Sequence, residues 1–175
     1  MHDTKRWNPA NIKKHEATDE SDSYKNALSY KDMSICKKCH NIYHNKRWVH
    51  DDELYNSMLK NKEEINYVIC PACLKIETKF YNGVVELSGS FLFEHKDDIL
   101  NLIKNTVERA DYIDPLEKIE NIEEDDEKKI ITIYTTSEDL AQRIGKNIEK
   151  AYRGDIEYSF SERELFLRVY WKRDL

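Results

Sequence analysis

Cys36-Lys37-Lys38-Cys39, followed after a spacer of thirty residues by Cys70-Pro71-Ala72-Cys73, contains every cysteine of the chain. A C-x2-C turn brings two thiolates to one side of a tight loop, and two such turns facing each other supply the tetrahedral sulfur shell that Zn2+ prefers. The pattern predicts one four-ligand site made of Cys36, Cys39, Cys70 and Cys73, with Zn2+ as its ion. Four protein sulfurs fill a tetrahedral coordination sphere and leave no position for a catalytic water, so the metal is expected to hold shape and do no chemistry. The spacer is longer than the roughly 15 to 20 residues usual between the pairs of a zinc ribbon. It is expected to form an extended ribbon finger or a short helix.

Three other uses of the cysteines compete with this one. Two disulfides suit an exported protein, but the chain opens Met1-His2-Asp3-Thr4-Lys5 without the apolar run of a signal peptide, so a reduced, cytoplasmic setting is expected. A redox C-x-x-C pair stands alone at the strand-to-helix junction of a thioredoxin-like unit, whereas two pairs are present here and neither follows a βαβ start. His40, His44 and His50 are candidates to replace one sulfur, which leaves a mixed shell as the alternative to the all-cysteine one.

Composition sets outer limits. The 175 residues, 39% of them hydrophobic, suffice for one good domain or two small ones. With 35% charged residues and a mean hydropathy of −0.82, no run is long and apolar enough for a membrane helix, and a soluble protein is expected. There are only four glycines and three prolines, and neither G-x-x-x-x-G-K-S/T nor G-x-G-x-x-G occurs, so no nucleotide partner is expected. A net charge of −6 argues against nucleic acid when taken alone, and the distribution of that charge matters more.

Residues 1–33 form a polar arm with few spaced apolar positions, expected to be disordered when free, with Trp7, Tyr24 and Tyr30 as candidate anchors for a partner. The first knuckle carries Lys37, Lys38, Lys46 and Arg47 without an acid, interleaved with His40, Tyr43, His44 and Trp48. Cations and flat rings on a rigid knuckle suit phosphate contact and base stacking, which makes these four cations and Trp48 nucleic-acid candidates. The plainer alternatives are lysines that offset thiolate charge and a Trp48 that plugs a small core. Residues 51–66 read as a short polar helix or loop. Tyr67, Val68 and Ile69 read as a strand into the second knuckle, continued by Leu74, Ile76 and Phe80 toward Gly83.

A second unit starts there. Val84, Val85 and Leu87 read as a buried strand ending at Ser88-Gly89, with Ser90 as N-cap of a helix whose apolar positions are Ile99, Leu100, Ile103 and Val107. A hairpin follows, with Glu123 to Glu127 at its solvated turn and the β-branched run Ile130 to Thr135 beyond it. Thr136-Ser137-Glu138-Asp139 opens a second helix with a capping-box pattern, Leu140, Ile144, Ile148 and Tyr152 line its inner face, and Gly154 closes it. Arg143, Lys146 and Lys150 lie on its outer face as further nucleic-acid candidates, and Arg168, Lys172 and Arg173 extend a basic surface after two alternating strands. The expected class is α+β: a flexible arm over 1–33, a four-cysteine zinc ribbon over 34–80, and over 83–175 a small α/β sandwich of order β-α-β-β-α-β-β with both helices on one face.

Cys36-x-x-Cys39 with Trp48, Cys70-Pro71-x-Cys73, Val84-x-x-Leu87-Ser88-Gly89-x-Phe91, His95 with Ile99 to Asn105, Ala141-x-Arg143-Ile144-Gly145-Lys146, Ala151-Tyr152-x-Gly154 and Arg168-Val169-x-Trp171 resemble a family of short bacterial proteins. The family is labelled "NMD protein affecting ribosome stability and mRNA decay", after the zinc-ribbon region of the large-subunit export adaptor of archaea and eukaryotes. The resemblance covers roughly residues 33 to 173 and implies a ribosomal or RNA partner and no catalytic step. Two functions are therefore expected in competition: a module that binds ribosomal RNA or the ribosome, or one that holds a protein partner through the ribbon without nucleic acid. No Ser/His/Asp or Cys/His pairing falls outside the cysteine site, so an enzyme is not expected.

Overall fold

The computed structural model describes residues 29–61 and 64–175. The chain is α+β, built on two sheets. The first is small: β1 (Ser34–Cys36), β2 (Ile42–His44), β3 (Arg47–Val49) and β4 (Tyr67–Val68) lie in the order β3-β2-β1-β4. The first cysteine pair occupies the turn between β1 and β2. Asn45 and Lys46 join β2 to β3 with φ of 52° and 63°, the left-handed pair that a two-residue hairpin loop requires. The spacer does contain a helix, α1 (Asp52–Lys60), capped where Leu54 N–H donates to Asp51 Oδ1 at 2.8 Å.

The expected strand through Leu74, Ile76 and Phe80 is instead a helix, α2 (Pro71–Thr78). Its start is specified locally: Pro71 stands in the first turn, where no intrahelical N–H is needed, and the Cys70 sulfur takes the N-cap position and accepts from Cys73 N–H at 3.4 Å. Lys79, left-handed at φ 53°, ends it. The alternation of Leu74 and Ile76 imitates a strand, but a chain this short is governed by its cap and by the metal-ligand turn.

The second sheet has five strands, β5 (Gly83–Ser88), β6 (Ile119–Asp125), β7 (Ile130–Thr135), β8 (Asp155–Ser161) and β9 (Phe166–Lys172), in the order β6-β7-β5-β9-β8. β5 and β9 run parallel, and the other neighbours are antiparallel. A short α3 (Ser90–Glu94) leads into α4 (Lys96–Ile113), and α5 (Glu138–Tyr152) precedes β8. The period-two pattern places Val85, Leu87, Ile131, Ile133, Leu167, Val169 and Trp171 in a common core with Ile99 and Ile103 of α4 and Leu140, Ile144 and Ile148 of α5. Each such side chain, fully buried, contributes about 1.5–3 kcal/mol of transfer free energy, which is why the two periodicities dominate the fold.

Gly145 lets α5 approach β9, since a Cβ there would lie 2.7 Å from Val169 Cγ1. The helix after β5 is capped by Gly89 at φ 99°, not by Ser90. Ser90 serves the C-terminus instead: its N–H donates to Asp174 Oδ1 at 3.1 Å, and its hydroxyl accepts from Leu175 N–H at 3.0 Å. At α5 the cap is the single bond from Leu140 N–H to Ser137 Oγ at 3.1 Å, not a reciprocal box.

The four-cysteine unit sits against the sandwich. Lys75 of α2, 5% exposed, donates through Nζ to the Thr136 carbonyl at 3.1 Å, and Asn41 Nδ2 donates to the Pro115 carbonyl at 3.4 Å. His50 and Lys118 flank the Asp111 carboxylate at 3.4 and 3.6 Å, and Leu116 packs against the cysteine cluster. The expected arm over 1–33 lies outside the described residues except for its last five positions, 29–33. Trp7 and Tyr24 are likewise outside them.

Candidate metal centre and the basic surface around it

The sulfurs of Cys36, Cys39, Cys70 and Cys73 all lie within 4.8 Å of one another. The short β1–β2 turn presents the first two, and the first turn of α2 presents the others. Cys39 Sγ and Cys70 Sγ are 3.7 Å apart, far beyond a disulfide bond, and all four cysteines are free. Backbone amides point at the sulfurs: Cys70 N–H donates to Cys36 Sγ at 3.3 Å, in addition to the Cys73 bond at the cap. Amides in this position stabilise thiolate charge and fix the orientation of the ligands.

The four thiols cannot all ionise on their own. Cys36 is held well below its ordinary range by hydrogen bonds from Cys39, Cys70 and Cys73. Cys39 is lowered to about 7: Cys36 pulls it up, and Cys70 and Cys73 together outweigh that. Cys70 and Cys73 are pushed up, in both cases chiefly by Cys36 and then by Cys39. A divalent cation resolves this conflict, because every thiolate then has a positive partner. The quartet is therefore positioned, by distance, burial and donor set, to hold a metal ion.

None of the three histidines is part of this group. His44 Nδ1 lies 3.3 Å from Asp32 Oδ2, His50 Nδ1 lies 3.1 Å from Asn41 Oδ1, and His40 stacks on Tyr55 with ring centroids 4.9 Å apart.

Trp48 is 8% exposed and packs with Cys36, Cys70 and Cys73 in the core of the unit. Burial takes it off the surface as a stacking platform. Tyr30, which the sequence offers as an anchor for a partner, meets Trp48 edge-on with centroids 5.0 Å apart and Tyr43 at 5.3 Å, and its hydroxyl donates to the Ile69 carbonyl at 3.1 Å. Burial, and then the neighbouring Cys70 and Cys36, push that hydroxyl up to about 12. Leu116, from the second unit, completes the enclosure. Nothing local in the sequence marks Leu116 for this task, whereas the bulk of Tyr30 close to the first knuckle is a signal that could have been read as a plug.

The basic candidates divide. Lys37, Lys46 and Arg47 are exposed around the knuckle and the β2–β3 hairpin, with Asp32 accepting from Asn45 N–H at 2.9 Å near the hairpin tip. Lys38 is also exposed but pairs with Glu77 at 3.0 Å. On α5, Lys146 and Lys150 are exposed, while Arg143 Nη1 is bound to the buried Glu117 carboxylate at 2.9 Å. The C-terminal basic surface is smaller than its residue types suggest: the Arg173 guanidinium lies 3.8 Å from the Phe91 ring centroid, and Lys172 pairs with Asp174 at 3.4 Å. No described helix is long and apolar enough to cross a membrane. Compared with family models, with curated proteins and with solved structures, the chain matches none.

Proposed function

We propose that the chain is a non-catalytic RNA-binding protein in which Cys36, Cys39, Cys70 and Cys73 hold one Zn2+, and the knuckle so fixed presents Lys37, Lys46 and Arg47 to ribosomal RNA. The observation that carries the metal is the sulfur geometry: thiolates about 2.3 Å from zinc form a tetrahedron with edges of about 3.8 Å, and Cys39 and Cys70 sulfurs stand 3.7 Å apart. A shell of four protein sulfurs has no open position, which supports a structural ion and a protein without an active site at the metal.

Phosphate contact by the knuckle is supported by three exposed cations whose backbone is already fixed by the β1–β2 turn and the β2–β3 hairpin, so that little backbone entropy must be spent on binding. Lys146 and Lys150, one turn apart on α5, supply a second contact. The resemblance to the ribosome-stability family supports the same partner and a role in ribosome stability or mRNA decay, in the cytoplasm.

Cosedimentation with ribosomal subunits across a salt series tests this. Bound fraction should fall steeply with salt, at a slope of about −0.7 per phosphate contact on single strands. A zinc-loaded K37A/K46A/R47A variant should bind more weakly and with a shallower slope. A variant that cosediments with unchanged salt sensitivity would transfer the assignment to a protein-interaction module that uses no nucleic acid.

A further inference from the structure

The side chains of the five-stranded sheet that alternate with its core residues form a second face, and with the exception of Val84 they are exposed or half-buried. The strand register aligns one row of this face across all five strands: Glu123, Thr132, Glu86, Tyr170 and Glu157 are successive partners on β6, β7, β5, β9 and β8. Carboxylates therefore recur on every second strand. At about 4.8 Å between strands, they repeat every ~9.6 Å.

Tyr170, 38% exposed, stands between Glu86 and Glu157. Neither of these glutamates has an ion-pair partner among the described residues. The adjoining rows add two cations, Arg168 over the Phe166 ring at 4.8 Å and Lys172 paired with Asp174, and two more carboxylates, Asp125 and Asp155, so the three rows hold five carboxylates against two cations. Negative charge repels phosphate and attracts cations, and an exposed ring in line with it offers a flat contact to the chain between two cations. This surface is thus opposite in sign to the knuckle.

The spacing selects a conformation as well as a charge. In a β-strand, positions three apart point to opposite sides. In polyproline II, with three residues per turn and a rise of about 3.1 Å, every third side chain lies on the same side at intervals of about 9.3 Å. We propose that this sheet face docks a basic, proline-rich polypeptide segment of a protein partner in polyproline II conformation, with Arg or Lys at every third residue seated on Glu123, Glu86 and Glu157, and the residues between the last two cations lying against the Tyr170 ring. The assignment goes beyond the RNA reading and uses none of its residues.

The test uses the full zinc-loaded chain and a labelled peptide of three Arg-Pro-Pro repeats, with anisotropy for affinity and amide chemical shifts for location. Shifts should centre on Tyr170 and its neighbours on β5 and β8. Binding should weaken about tenfold on raising salt from about 50 to about 500 mM, about tenfold in Y170A and in E86Q/E157Q, and about tenfold for a peptide of the same composition with its three arginines in one block. D126N/E127Q, which removes the same charge from the β6–β7 turn, should bind as wild type. Equal affinity for the blocked peptide, an equal loss in D126N/E127Q, or wild-type shifts that avoid β9 would overturn the proposal. Occupation of the face by an oligoribonucleotide or by a second copy of the chain would overturn it too. Because the shift map is recorded on the wild-type chain, the result stands even if a variant fails to fold.

Discussion

Arg143 Nη1 lies 2.9 Å from Glu117 Oε2, joining the exposed side of α5 to a carboxylate that is 5% exposed in the segment before β6. A guanidinium held by a buried anion is a structural cation. Losing the bond leaves part of a buried charge without its partner, and a hydrogen bond to a charged group is worth about 1.5–3 kcal/mol. R143A should lower stability by about 2 kcal/mol in urea unfolding while leaving RNA affinity nearly unchanged, and E117Q should soften the loss. An R143A protein of normal stability but weakened RNA binding would return Arg143 to the binding surface.

Trp48 should behave as core. Removing a buried aromatic costs about 3–5 kcal/mol, so W48A should release metal to a chelator faster than wild type, and W48F should retain most of the stability. Full retention of metal and stability in W48A would show that its ring packs nothing of consequence.

The C-terminal clasp gives a dependence on pH. Ser90 N–H, and then Lys172, hold the Asp174 carboxyl below its ordinary range. A carboxyl whose pKa is lowered by folding stabilises the fold above its unfolded value, about 3.9, and that contribution is lost as pH falls through the lowered folded value. The Ser90 amide resonance should therefore hold steady from neutrality to about pH 4 and move below it, and it should not titrate in D174N. Titration of that amide near neutrality, or an unaltered curve in D174N, would remove Asp174 from the clasp.

Most of the second unit was legible in the sequence because its strands and helices obey single periods. Val85 and Leu87, or Ile144 and Ile148, announce their faces without knowledge of any other segment. What stayed hidden depended on distant partners or on a cap. Glu117 lies 26 residues from Arg143, so α5 read alone counts that arginine as solvent-facing. Tyr30 and Trp48 are aromatic residues beside lysines, and local composition alone cannot tell a stacking platform from a plug. At Pro71–Thr78 the alternation of two apolar residues suggested a strand, while the helix is set by the cysteine cap and the proline after it. The cysteine quartet itself was legible from spacing, since two C-x2-C turns leave little freedom in how four sulfurs meet.

Zinc K-edge X-ray absorption on the purified chain reads the four-sulfur site itself. One zinc per chain is expected, with four sulfur neighbours at about 2.3 Å and no nitrogen or oxygen ligand. That signal should be lost in C36S/C70S. A shell that contains histidine nitrogen, or a protein that carries no zinc when purified without chelator, would contradict the four-sulfur site.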